Sequence, residues 1–394
     1  MRLLSTAALL TSIAFLSACG SDPTGPATVF AVAGGDGQTA FAGTPVPTAI
    51  VIAGANGQAT FSIKSGGGSL SNTVGQVNSD GTITAPIWTL GKSDVPQELL
   101  VTSGSQTIVV SATIKTSYKL EVRFFGRTLS PSQSALFTNA AARVRGLIVG
   151  AVPPVNVTGA GISPDSCGSK GVGILSETIN GLIIYASIDS IDGPKQILAQ
   201  SGPCYIRSAT DFRTLVGIMK FDSADINSLA GTGNLQEVIT HEMMHVVGFG
   251  SFWPKKDKNL LINDSTPAVA YIGAGGIAGC KTFAPVTCAN SVPVEGTRGG
   301  AGTLYSHWDE TTFNNELMTG FINSGRNPLS VMSVRSFEDL GYVTNAAAAD
   351  PYIPPSTTNF RANVVAASAA LGTDAWEKPL AHGPRPFRIP GSNR

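Results

Sequence analysis

Charge is scarce in this sequence. Charged residues make up 13% of the 394, about half the usual share of ~25%, and 26 basic residues are balanced by 26 acidic ones. With no net field, the chain is not a general binder of nucleic acid or acidic membranes. A coiled coil or helical solenoid would need abundant charged helix formers and is excluded as well. Long apolar runs are also missing: the stretch 3–16 is interrupted by Ser and Thr and falls short of the ~20 residues that span a bilayer. There is no C-x-x-C pair for a four-cysteine zinc site, no G-x-S-x-G elbow and no phosphate-binding glycine loop. In place of these come 45 glycines, 24 prolines and a 42% hydrophobic share. That composition can build packed cores, which excludes a wholly disordered chain, and it points to two or so domains rich in β-structure and long loops.

Met1 and Arg2 followed by the apolar run 3–16 read as an export signal. The run ends in Leu16-Ser17-Ala18-Cys19, which resembles the lipobox of bacterial lipoproteins. The resemblance implies a signal peptide over 1–18, lipid on Cys19 as the mature N-terminus, and anchoring to a membrane through that lipid. With Gly20 rather than Asp next, Gram-negative sorting would place the protein at the outer membrane or cell surface. An ordinary secretory signal with an incidental cysteine is the alternative. Residues 19–27, rich in Gly, Ser and Pro, have the composition of a flexible tether. Four cysteines remain, Cys167, Cys204, Cys280 and Cys288, an even number for an oxidising compartment, so two disulfides are expected. Of the three connectivities, Cys167 with Cys204 and Cys280 with Cys288 is favoured, because the second pair closes a short loop inside one Gly-rich segment.

Over 28–117 short runs rich in Val, Ile, Thr and Phe alternate with Gly, Asn, Asp and Ser clusters, which predicts many short strands and a β-sandwich. The Gly66-Gly67-Gly68 turn, Trp88-Thr89-Leu90-Gly91 and the strand at 107–114 resemble bacterial immunoglobulin-like repeats of surface proteins, which serve as spacers more often than as ligand binders. From Tyr118 the pattern changes. An alternating strand leads to Ser130-Pro131, a cap followed by Pro at the first helical position, and apolar residues then recur at helical spacing to Gly150. Further strands at 182–188 and 214–221 make 118–345 an α+β domain. The Pro- and Ala-rich stretch 346–394 reads as an irregular tail.

The chemistry concentrates in one place. Residues 234–248 form an amphipathic helix signature containing H-E-x-x-H, with His241, Glu242 and His245. Histidines four apart lie on one helix face and can reach one metal ion, while Glu242, about 100° away, can handle a proton without being a ligand. Gly248 ends the signature, as in metzincin-type proteases, but Ser251 stands where most metzincins place a third histidine. The next histidine is His307, beyond a Gly-rich insertion that carries Cys280 and Cys288. This long insertion, Ser306-His307-Trp308, Asn315-Glu316-Leu317-Met318 and 336–342 together resemble the leishmanolysin family of zinc endopeptidases.

After the β-sandwich read over 28–117, the resemblance implies a metzincin-type α+β protease domain over 118–345. It implies one catalytic Zn2+ on His241, His245 and His307, with Glu242 as general base, Met318 in a Met-turn beneath the metal, and protein or peptide substrates. By the same analogy, the strand around 215–221 is expected to be an edge that pairs with extended substrate. A carboxylate third ligand, Asp309 or Glu310, is the competing possibility, and His382 is expected to be a solvated tail residue. The rival function is a surface adhesin whose zinc site is structural or inactive, with the immunoglobulin-like module doing the binding. The lipobox resemblance commits Cys19 to lipid, so no upstream free cysteine is expected to cap the metal.

Overall fold

The computed structural model describes residues 29–354 except 93–94, 195–196, 227–232, 255 and 324, together with the backbone of Arg385–Pro386. The signal peptide, Cys19, the tether and His382 lie outside the described residues. No helix among the described residues is long and apolar enough to cross a membrane.

The N-terminal region is built of short strands, as the alternating composition predicts. Five of them form one sheet, in the order Gln38–Ala40, Gln106–Ile114, Gln97–Ser103, Ala59–Ser65 and Val74–Gly75, and three more, Ala31–Gly34, Val51–Ala53 and Ile83–Thr84, form a second. Ile52, Phe61, Trp88, Leu99, Val101 and Val110 fill a core of their own. Strand Gln97–Ser103 is buried at every second position and half-buried between, the period-2 pattern of a strand with unlike faces.

The second region is organised around a five-stranded mixed sheet in the order Leu120–Phe124, Leu182–Asp189, Thr214–Asp222, Ala199–Ile206 and Arg385–Pro386. The first three run parallel, and Ala199–Ile206 pairs antiparallel with Thr214–Asp222. Along Leu182–Asp189 the side chains divide between two cores. Ile184, Ala186 and Ile188 face one cluster and Ile183 and Tyr185 the other, so both faces are covered. One cover is the helix Pro131–Leu147. It begins with a full capping box, in which Ser130 accepts from the Gln133 amide and Gln133 reaches back to Ser130. The helix Leu235–Val247, carrying H-E-x-x-H, joins the same core through Val238, Ile239, Met243 and Val246.

Strand Thr214–Asp222 is not an edge. It is paired on both sides, and its run Leu215-Val216-Gly217-Ile218-Met219 is buried throughout, as befits a central strand. The strand with an open outer side next to the H-E-x-x-H helix is Ala199–Ile206, paired on that side, among the described residues, only at Tyr205 and Ile206; sequence reading did not identify it. Both favoured disulfides are formed, Cys167–Cys204 and Cys280–Cys288. The first ties the edge strand to the turn Pro164–Cys167 on the outer face of the sheet. Packing continues past Asn345: Asp350 pairs with Arg143 and Arg326, and the Tyr352 hydroxyl donates to the Phe313 carbonyl at 2.5 Å.

Candidate metal centre

Helix Leu235–Val247 is buried along most of its length, from Val238 through Val247, including Thr240, His241, Glu242 and His245. The sheet holds it. Ser201 on the edge strand donates to the Glu242 carbonyl at 3.1 Å, Thr214 donates to the Val246 carbonyl at 2.8 Å, and the Tyr342 hydroxyl donates to the Val247 carbonyl at 3.0 Å. The helix then stops at Gly248, whose φ of +135° suits glycine alone. A Cβ there would lie 2.5 Å from the Phe252 ring. Two residues on, Gly250 passes beneath Ser306, where a Cβ would meet the Ser306 carbonyl oxygen at 2.2 Å. This close approach brings the far side of the insertion back to the helix. Ser251, in the place of the missing histidine, donates to the His245 carbonyl at 3.0 Å.

The result is a cluster of three imidazoles. The Nε2 atoms of His241, His245 and His307 lie 2.9 to 3.0 Å from one another, and all three residues are at most 2% exposed. Each ring's other nitrogen faces a backbone carbonyl: His241 Nδ1 to Leu317 at 2.6 Å, His245 Nδ1 to Phe249 at 3.0 Å, and His307 Nδ1 to Thr303 at 3.0 Å. A carbonyl can only accept, so the proton of each ring sits on Nδ1, and each Nε2 directs a lone pair into the common space. Three converging lone pairs repel one another unless a cation lies among them. The donor set, three neutral imidazoles each oriented by an outer hydrogen bond, fits zinc.

Among the described residues these three histidines are the only group of His, Cys, Asp and Glu placed to share a metal ion. The carboxylate alternatives are engaged elsewhere. Asp309 caps a short helix by accepting from the Thr312 amide, and Glu310 accepts from Asn323. Burial pushes the Glu310 carboxyl up to about 7, against the pull of Asn323 and Thr319.

Met318 is buried, and its backbone lies between two of the histidine segments. The Leu317 carbonyl holds His241, while the Met318 carbonyl accepts from the Trp308 amide at 3.0 Å, next to His307. Sequence reading missed what supports this turn. The fully buried Glu316 accepts from the Met318 amide, the Ser330 amide and hydroxyl, and the Ser333 hydroxyl, at 2.6 to 2.8 Å. Ser333 also accepts from the Trp308 indole at 2.8 Å. Desolvation raises the Glu316 pKa, opposed by these donors. A glutamate inside the segment Asn315-Glu316-Leu317-Met318 was the available sign. The three carbonyls that orient the rings belong to residues of any type and leave no mark in a sequence.

No curated protein sequence matches the chain. The sequence profile of the leishmanolysin family, peptidase M8, matches residues 154–353, just over half of the chain and inclusive of all three histidines, Glu242 and Met318. The chain therefore belongs to the leishmanolysin family of metallopeptidases.

Proposed function

We propose that the protein is a zinc endopeptidase, anchored to a bacterial cell envelope by lipid on Cys19 and carrying an immunoglobulin-like spacer over 28–117. The observation that carries the enzymatic reading is the convergence of three Nε2 lone pairs beside a buried glutamate. His241, His245 and His307 would hold the ion. Three protein ligands leave a coordination position open for chemistry, unlike the closed four-ligand set of a structural site. When bound there, zinc supplies a Lewis acid that activates water and polarises a peptide carbonyl.

Glu242 would act as general base, taking a proton from the attacking water and giving it to the departing amine. It sits one residue from His241 on a helix whose backbone at that point is held by Ser201, so its position is fixed by the sheet. Its burial keeps bulk water from competing for the proton. Met318, held by Glu316 through its backbone, supplies an apolar floor beneath the ligands. The outer side of Ala199–Ile206 can take an extended peptide as an added strand, which suits protein substrates and not nucleic acid.

Glu242→Gln keeps shape and hydrogen-bonding capacity but cannot accept a proton. Cleavage of an unfolded protein should fall by about a thousandfold or more, with zinc content unchanged by elemental analysis. Turnover near that of the parent protein would refute the assignment of the base.

A further inference from the structure

The strand offered to substrate is already partly occupied. Ala199–Ile206 is paired along its inner side from Ala199 to Ile206. On its outer side, Tyr205 and Ile206 pair in parallel with Arg385 and Pro386, from the far end of the chain. The same strand touches the H-E-x-x-H helix through Ser201 and the Glu242 carbonyl, so the added strand lies on the edge that runs beside the metal centre.

We infer that the C-terminal segment around Arg385–Pro386 is a built-in competitor of substrate for this edge. The inference rests on the peptidase reading above. Three features of the segment suit a displaceable competitor. First, among the described residues the pairing is two residues long, a length that main-chain pairing holds weakly. Second, the sequence there is Pro384-Arg385-Pro386. Only Arg385 of the three has an N–H, so the segment cannot build a full ladder or template a further strand. Third, it runs parallel to the edge strand, and parallel pairing is slightly weaker per residue than antiparallel pairing, so a longer peptide laid antiparallel along the whole edge would outcompete it. The tail then lowers the fraction of molecules ready to bind substrate, and apparent affinity falls by that fraction.

The test is a chain ending at Gly383, which retains everything packed through Tyr352, compared with the full chain and with Arg385→Pro, which removes the remaining donor. On a fluorogenic peptide long enough to span the edge, truncation should lower KM by roughly three- to tenfold with kcat little changed. Arg385→Pro should move it the same way by less. A synthetic peptide of residues 380–394 added to the truncated protein should restore the higher KM competitively. Amide exchange at 204–206, measured in a Glu242→Gln background, reports docking independently of catalysis and should quicken on truncation. Unchanged exchange overturns the docking whether or not the protein cleaves peptide. Faster exchange with unchanged KM overturns the competition.

Discussion

At the scale of single residues, the centre is decided by where protons sit. Each metal-facing Nε2 owes its lone pair to a carbonyl on the opposite side of the ring, at Leu317, Phe249 or Thr303. The ligands are therefore set in the required tautomer before any ion binds, and less free energy is lost to reorganisation on binding. Glu310, three residues from His307, shows the cost of burying a carboxyl in the same region. Its pKa is raised from 4.5 to about 7, chiefly by desolvation. The folded state thus keeps a proton that the unfolded chain has lost. The stability associated with that proton is fully present below pH 4.5 and is lost as pH rises through 7, to the extent of roughly 3 kcal/mol. Glu310→Gln carries no such charge. Denaturant unfolding should show parent and variant similar near pH 4.5, with the variant more stable at pH 8, and equal slopes of stability against pH would contradict the assignment.

At the scale of elements, a helix, a turn and a returning loop build the site. Gly248 is the joint between the first two. A methyl group there would meet the Phe252 ring at 2.5 Å on a backbone with φ of +135°. Gly248→Ala should cost on the order of 2–3 kcal/mol and lower Tm by about 5 °C or more, with a matching loss of zinc affinity because Ser251 and Phe249 hang from that turn. An unchanged Tm would show that the turn relaxes freely. Some of these elements were legible beforehand. Ser130-Pro131 marks the first helix, and the four-residue histidine spacing marks the second, because both are local signals. The edge strand was not, since Gly202 and Pro203 interrupt its apolar run. What holds it is non-local: the Cys167–Cys204 disulfide, the antiparallel ladder and Ser201. Yet proline inside a strand is itself a mark of an edge, and the unbroken apolar run 215–219 a mark of a centre. Those two signals, weighed together, would have moved the edge assignment from 215–221 to 199–206. His307 was legible only through resemblance to a family, because nothing in its own neighbourhood points across the 58 residues of insertion that separate it from Gly248.

At the scale of the whole molecule, the strand-rich N-terminal region has a core of its own, separate from the two that flank the mixed sheet of the metallopeptidase domain. In the proposed arrangement, lipid on Cys19, the tether and the spacer hold that domain off a membrane surface, within reach of extended proteins. If Cys19 carries the anchor, Cys19→Ser should move the protein from the membrane fraction to the soluble one, since no described helix can span a bilayer. Retention in the membrane would mean another anchor. The central claim is that one zinc ion held by His241, His245 and His307 hydrolyses peptide bonds. The most direct measurement is zinc content and cleavage of an unfolded protein by His307→Ala beside the parent chain, with folding checked by circular dichroism. The parent should hold about one zinc per chain and lose activity to a chelator, while the variant, left with two ligands, should lose both zinc and cleavage. A folded His307→Ala protein with full zinc and undiminished cleavage would contradict the account.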